Sequence, residues 1–162
     1  MQKQKVIFPG TFDPFTVGHY DILERIKKIF DYVLIAVGNN PRKKTFFTLS
    51  ERKEHIDKIV QGLRSVETGI FEGLLIDYMH QQGITTIIRG LRVFSDYEYE
   101  LQIGMANKSL DKEIETLFLL PKPEHIYISS SMVKEIAMHK GEIKDFIPKE
   151  IYDDVIKKTQ KN

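Results

Sequence analysis

Residues 6–19 read VIFPGTFDPFTVGH, and this stretch decides the fold. Val6, Ile7 and Phe8 form a short apolar run, the mark of a buried strand. Pro9 and Gly10 break the run, and Asp13-Pro14 keeps the chain turning. Thr16 stands where a helix N-cap belongs, and the apolar pattern that begins at Val17 continues to Phe30. The order is strand, glycine-bearing loop, helix. At such a junction the unpaired N–H groups and the helix dipole favour an anion, most often a phosphate. His19 falls in the first turn, where it adds a donor, and positive charge when protonated. Gly18 lets a ligand come close, and Thr16 and His19, three apart, share one side of the helix. The bland alternative is an ordinary strand-to-helix turn with a surface histidine.

Outward from this junction the chain alternates. Residues 32–37 are apolar throughout, as in a parallel strand covered on both faces. A polar loop over 39–47 carries Pro41, Arg42, Lys43 and Lys44, and Thr48-x-x-Glu51 is a capping box for a helix to about Gln61. A third strand spans 66–71, and a short helix over 74–82 is closed by Gly83. A fourth strand over 85–88 is ended by Arg89-Gly90. Ser95 or Asp96 then opens a long helix to about Leu110, and a fifth strand spans 116–120. Ser130 caps a helix to about His139, and Pro148 suits the first turn of a C-terminal helix over about 149–159. Strands separated by helices predict an α/β fold, a doubly wound parallel five-stranded sheet with flanking helices. No repeat, low-complexity segment or long linker divides the chain, so one domain over residues 1–162 is expected.

Composition excludes several classes. The chain has 162 residues, 41% hydrophobic and 29% charged, ordinary values for a soluble globular protein. A net charge of +1 gives no global pull towards nucleic acid. With no cysteine there is no disulfide, thiolate metal site or cysteine nucleophile. Four polar residues run straight into the first strand without a signal peptide, and the longest apolar run is too short to span a bilayer. No membrane association and a cytoplasmic location are expected.

Ligands of such sheets bind beyond the carboxyl ends of the strands, near the switch in strand order. Four polar clusters follow strands: residues 11–19, 42–44, 89–92 and 125–131. Each has a bland reading. The basic triplet 42–44 can be solvated surface, and Arg89 and Arg92 can be ordinary surface arginines. Tyr97, Glu98, Tyr99 and Glu100 can be packing plus solvent, and the three serines 129–131 can be caps. The functional readings are a lysine reaching a phosphate, arginines binding phosphate oxygens bidentately, Glu100 accepting from a ribose or adenine donor, and serine hydroxyls with first-turn amides holding a triphosphate. His55, His80 and His139 lie in expected helices without metal-ligand spacing, so no protein-built metal site is expected.

The T-x-G-H of residues 16–19 resembles the motif of the nucleotidyltransferase superfamily, related to the H-x-G-H of class I aminoacyl-tRNA synthetases. FPGTFDPFTVGH near the start, IIRGLRVFSDYEYE in the middle and ISSSMVKE near the end resemble the bacterial phosphopantetheine adenylyltransferases in order and spacing. That resemblance covers residues 6–148 or so and implies a Rossmann-like fold. It implies transfer of an adenylyl group from ATP to 4′-phosphopantetheine, giving dephospho-coenzyme A and pyrophosphate. It further implies a hexamer, Mg²⁺ bound through the ATP phosphates, and coenzyme A as an inhibitor in the same pocket.

By the same resemblance Thr11 touches both substrates and Phe12 lies beside the nucleotide. His19 contacts ATP and stabilises the transition state, with Lys43 as its catalytic companion. Lys43, Leu75 and Arg89 line the phosphopantetheine pocket. Gly90, Leu91, Arg92 and Glu100 contact ATP, as do His125, Ile126, Tyr127, Ile128, Ser129, Ser130 and Ser131. One departure is visible: the family places an aromatic and then a small residue before F-I-S-S-S, whereas this chain reads His125-Ile126-Tyr127-Ile128. The acceptor is a phosphate with a second pKa of about 6, so no general base is required. Two alternatives remain open at this level: a cytidylyl- or mononucleotide adenylyltransferase with the same T-x-G-H core, and a nucleotide-binding module without turnover.

Overall fold

The chain was analysed as a computed structural model that describes residues 4–40 and 44–160, the side chains of Phe94 and Ser95 excepted. The strands are β1 (Lys5–Gly10), β2 (Tyr32–Gly38), β3 (Val66–Phe71), β4 (Thr86–Gly90) and β5 (Glu115–Leu119). They form one parallel sheet in the order β3-β2-β1-β4-β5. The helices are α1 (Val17–Ile26), α2 (Leu49–Val60), α3 (Leu75–Gln82), α4 (Phe94–Leu110), α5 (Ser130–Met138) and α6 (Tyr152–Gln160).

The continuous apolar runs of β1 and β2 reflect burial on both faces. Val6 and Phe8 point with Val33, Ile35 and Val37 to one side, where they pack with α1, α2, α5 and α6 through Leu23, Ile56, Val133 and Val155. Ile7, Leu34, Ala36 and Ile87 face the other side and meet Ile76 and Met79 of α3. The order of strands reverses between β1 and β4, so the crevice expected of a doubly wound sheet opens at their carboxyl ends.

Several boundaries differ from expectation. Pro9 and Gly10 stay within β1, opposite Ala36 and Val37 of β2, because a missing N–H at Pro9 removes only one ladder donor. The apolar pattern to Phe30 outlasts α1, which ends at Ile26. The chain then tightens into i−3 bonds, Lys28 N–H to Arg25 and Ile29 N–H to Ile26. Arg89 and Gly90 belong to β4, in register with Phe118 and Leu119. α4 starts after Val93 with no side-chain cap, in place of a start at Ser95 or Asp96. The cap of α5 is Ser129, whose Oγ accepts Met132 N–H at 3.1 Å; Ser130 is already helical. Residues 149–151 form a 3₁₀ turn ahead of α6. The capping box at Thr48 and Glu51 and the left-handed Gly83 after α3 follow the expected pattern.

His55 of α2 is buried against the Phe47 ring, with Nε2 3.7 Å from Asp154 Oδ2. Burial pushes its pKa below the ordinary 6.5, outweighing the opposite pull of Asp154. Below that value the unfolded chain binds a proton that the folded chain does not, so the stability present above pH 6.5 is lost as pH falls towards the folded pKa. His55→Gln is expected to flatten this acid-side decline, read from urea unfolding at about pH 7.5 and about pH 5.5. Among the described residues no helix is long and apolar enough to cross a membrane.

Candidate active site

The loop from Thr11 to Thr16 leaves β1 at the switch point and is pinned from several sides. Asp13, 4% exposed, accepts the amides of Phe46 (2.9 Å) and Phe47 (2.9 Å), and Lys134 Nζ of α5 donates to it at 2.7 Å. The Asp13-Pro14 peptide is cis, and Phe12 has a positive φ of 49°. That conformation folds the Phe12 ring back beneath Gly10, onto Phe8 and Phe15. A Cβ at Gly10 would stand 2.6 Å from the Phe12 ring. Gly10→Ala is therefore expected to cost about 1–3 kcal/mol by overpacking, visible as a lower urea midpoint.

α1 begins with a capping box closed by a histidine. Thr16 Oγ1 accepts His19 N–H, and Thr16 N–H donates to His19 Nδ1 at 3.0 Å. A backbone N–H can only donate, so Nδ1 is the acceptor and the neutral ring carries its proton on Nε2. The Phe12 and Phe15 rings, centred 5.1 and 5.2 Å from the imidazole, hold it in place. Of the first-turn amides, Val17 N–H is taken by Phe146 O and His19 N–H by Thr16. Gly18 N–H has no protein partner among the described residues. A Cβ at Gly18 would lie 3.8 Å from the His125 carbonyl, so the loop after β5 closes over this helix start.

That loop is held by buried charge. Asp21 of α1, 6% exposed, accepts Lys122 N–H at 3.3 Å and lies 3.3 Å from Lys122 Nζ. Arg92 Nη1 donates to Ile128 O at 3.0 Å, and its Nε lies 3.3 Å from Asp96. Ile128 is buried, whereas Ile126 and Tyr127 are exposed. Ser130 Oγ donates to Pro14 O at 2.8 Å and ties α5 to the first loop. The amides of Ser130 and Ser131 open α5 without protein partners among the described residues. Two helix starts, α1 and α5, therefore meet at the same rim, each offering amides and hydroxyls to an anion.

Arg89 leaves β4 beside the rim. Its Nε and Nη2 meet Glu100 of α4 at 2.6 and 2.5 Å, and Nη1 donates to Pro9 O at 2.6 Å. Arg89 and Glu100, read separately from the sequence, form one bidentate pair. Gly90 and buried Leu91 follow, and Leu91 N–H bonds to Leu119 O. Leu75 starts α3 at the end of β3. Thr11, Phe12, His19, Leu75, Arg89, Gly90, Leu91, Arg92 and residues 125–131 thus all follow, or end, strands of one rim. Arg42 and Lys43 lie outside the described residues.

Reading the sequence missed three residues that organise this rim: Asp13, Lys134 and Arg52. Asp13-Pro14 reads as a turn, and nothing in ISSSMVK assigns Lys134 a partner. Arg52 had a signal, because it recurs with His55, Ile56, Ile59 and Val60 on the inward stripe of α2. Among the described residues no group of three or more His, Asp or Glu could hold a metal ion.

A parallel sheet in this order, with a T-x-G-H helix start facing a serine-capped helix across its switch point, defines a nucleotidyltransferase of the cytidylyltransferase-like class. The Cytidylyltransferase-like family model matches residues 7–136. Similar solved structures include the Plasmodium falciparum nicotinic acid mononucleotide adenylyltransferase, at TM-score 0.67 and 16% identity over 99% of this chain and 96% of that one. That likeness concerns the fold. Among curated relatives, the phosphopantetheine adenylyltransferase of Finegoldia magna is 48% identical over 96% of this chain and 96% of its own length. That of Alkaliphilus metalliredigens is 45% identical over 94% and 98%. The chain belongs to the phosphopantetheine adenylyltransferase family.

Proposed function

We propose that this chain transfers the adenylyl group of ATP to 4′-phosphopantetheine, giving dephospho-coenzyme A and pyrophosphate in coenzyme A biosynthesis. The observation that carries the mechanism is the imidazole of His19, held by Thr16 with Nε2 as donor at a rim where two helix starts converge. An oxygen of the acceptor phosphate attacks the α-phosphorus of ATP in line, the bond to the bridging oxygen breaks, and pyrophosphate leaves. No covalent enzyme intermediate forms, and no base is needed for an acceptor already ionised near neutral pH.

Such a reaction leaves the protein positioning and charge stabilisation. His19 Nε2–H and the Gly18 amide face the charge that develops on the α-phosphate. Lys43 brings a cation to the acceptor side. The α5 amides and Ser129, Ser130 and Ser131 receive the outer phosphates, Arg92 secures the loop that covers the adenine, and Thr11 and Phe12 lie between the substrates. Leu75 and Arg89 border the acceptor, with Glu100 setting the Arg89 fork. The donor set of hydroxyls, amides and cations addresses phosphate oxygens, and Asp13 is consumed by Lys134 and two amides. Those residues fit a Mg²⁺ carried by the triphosphate, where it offsets phosphate charge.

α4 exposes Leu101, Ile103, Met105 and Leu110, beside Leu117 on the edge strand β5. These exposed apolar side chains, spread around α4 rather than along one stripe, support assembly into the hexamer. The cytoplasm as location, and coenzyme A as an inhibitor in the acceptor pocket, complete the reading. Its test is pyrophosphate release from MgATP with and without 4′-phosphopantetheine. Release that depends on this acceptor is expected; ATP binding without release for any acceptor would leave a nucleotide-binding module.

A further inference from the structure

α5 reaches the loop after β1 through two residues four apart on one of its faces. Ser130 Oγ donates to Pro14 O at 2.8 Å, and Lys134 Nζ donates to Asp13 Oδ2 at 2.7 Å. A carbonyl oxygen can only accept, so the Ser130 hydroxyl proton is committed to Pro14. The flanking serines differ. Ser129 Oγ accepts Met132 N–H at 3.1 Å, which leaves its own proton to donate. Ser131 is exposed, and its hydroxyl has no protein partner among the described residues. The loop is held from its other side as well. Asp13 also accepts Phe46 and Phe47 N–H, and buried Arg52 of α2 donates from Nη1 to Thr11 O at 2.7 Å. Among the described residues α5 makes no further hydrogen bond to that loop. Beneath it Val133 and Ala137 pack into the core. Apolar contact is non-directional, so it fixes the depth of the helix better than its position along its own axis.

We infer that Ser130 and Lys134 are positioning residues: they lock the start of α5 to the loop that runs into α1, so that two helix starts face one polyphosphate at a fixed spacing, while Ser129 and Ser131 keep hydroxyls for the ligand. The inference rests on the adenylyltransferase reading above and deepens it. In that reading the start of α1, with His19, meets the α-phosphate, and the start of α5 meets the two phosphates that leave. The loop keeps Phe46, Phe47 and Arg52 when Lys134 is lost, so α5 is the element that shifts. A shift of α5 weakens the hold on the outer phosphates, and a nucleotide that lacks them does not register it.

The test is Lys134→Met, which removes the ion pair and touches no proposed ligand. ATP and AMP binding are measured by calorimetry, the reverse reaction by initial rates against pyrophosphate and dephospho-coenzyme A, and folding by thermal unfolding. The ATP Kd and the KM for pyrophosphate are expected to rise on the order of tenfold, the scale of one net hydrogen bond to a charged group. The AMP Kd and the KM for dephospho-coenzyme A are expected to stay within about twofold of wild type. An ATP Kd that rises no further than the AMP Kd overturns the positioning role, since lost stability alone does not separate the two nucleotides. If Lys134→Met does not fold, Lys134→Gln, which keeps a donor of shorter reach, is read in the same way. The part played by Ser130 is tested by combining Ser130→Ala with Lys134→Met. Two arms of one clamp are expected to give a combined loss in ATP affinity that departs from the product of the single losses by more than about twofold. Losses that multiply within that margin make Ser130 a direct ligand and overturn its positioning role. Absence of acceptor-dependent pyrophosphate release in the wild type removes the adenylyltransferase reading itself, whereas the comparison of ATP with AMP still reports on the clamp.

Discussion

His19→Ala is expected to slow pyrophosphate release by on the order of 10²–10³-fold, the usual cost of losing one preorganised donor to developing charge. The Kd for ATP should change by only a few-fold, because the amides at the starts of α1 and α5 and the Arg92-held loop remain. The split follows from geometry. Thr16 N–H donates to Nδ1, which puts the ring proton on Nε2, and the Phe12 and Phe15 rings pack against the imidazole. The substitution also removes one arm of the capping box, at a cost of about 0.5–2 kcal/mol. Thermal unfolding must therefore accompany the assay, with rates taken well below the variant's midpoint. Turnover near the wild-type value in a folded His19→Ala protein would remove His19 from the chemistry.

Asp13→Ala is expected to destabilise the chain by about 3–5 kcal/mol, because it leaves a largely buried ammonium and two amides without their acceptor. Asp13 takes Lys134 at 2.7 Å together with Phe46 and Phe47 N–H, and so joins the loop after β1, the approach to α2 and the helix α5. Lys134→Met should lose less, since Asp13 keeps both amides. Asp13→Asn should fall between them, retaining an acceptor but no charge. Against a total stability of roughly 5–15 kcal/mol for a domain, the alanine variant is close to unfolding at assay temperature. Urea denaturation measures the series. An Asp13→Ala loss below about 1 kcal/mol would show that the ion pair and its amides contribute little, as exposed pairs do.

These expectations rest on groups whose legibility in the sequence differed. Strand and helix order was legible because residues 6–8 and 32–37 are apolar throughout and α1, α2, α3, α5 and α6 carry a one-sided stripe, which α4 lacks. The caps at Thr16 and Thr48 were legible because capping is local, satisfied within three residues. Strand ends were read less well. Pro9-Gly10 and Arg89-Gly90 look like breakers, yet pairing with neighbours carries the strands through them. Ser129 displaced Ser130 as cap, because three consecutive serines offer the same local chemistry and packing of the loop selects among them.

By itself the sequence determined the alternation of elements, the strand–loop–helix junction at residues 9–19 and, through three spaced motifs, the family. These are short-range patterns, written in neighbours three or four residues apart or in the order of segments. Only the tertiary structure decided that Asp13 answers Lys134 across 121 positions, that Arg89 takes Glu100, and that Arg52 turns inward to the Thr11 carbonyl 41 positions away. A charged residue looks the same in a sequence whether water or a buried partner satisfies it. The partner is supplied by the chain's return, and burial then makes the bond strong enough to shape the site.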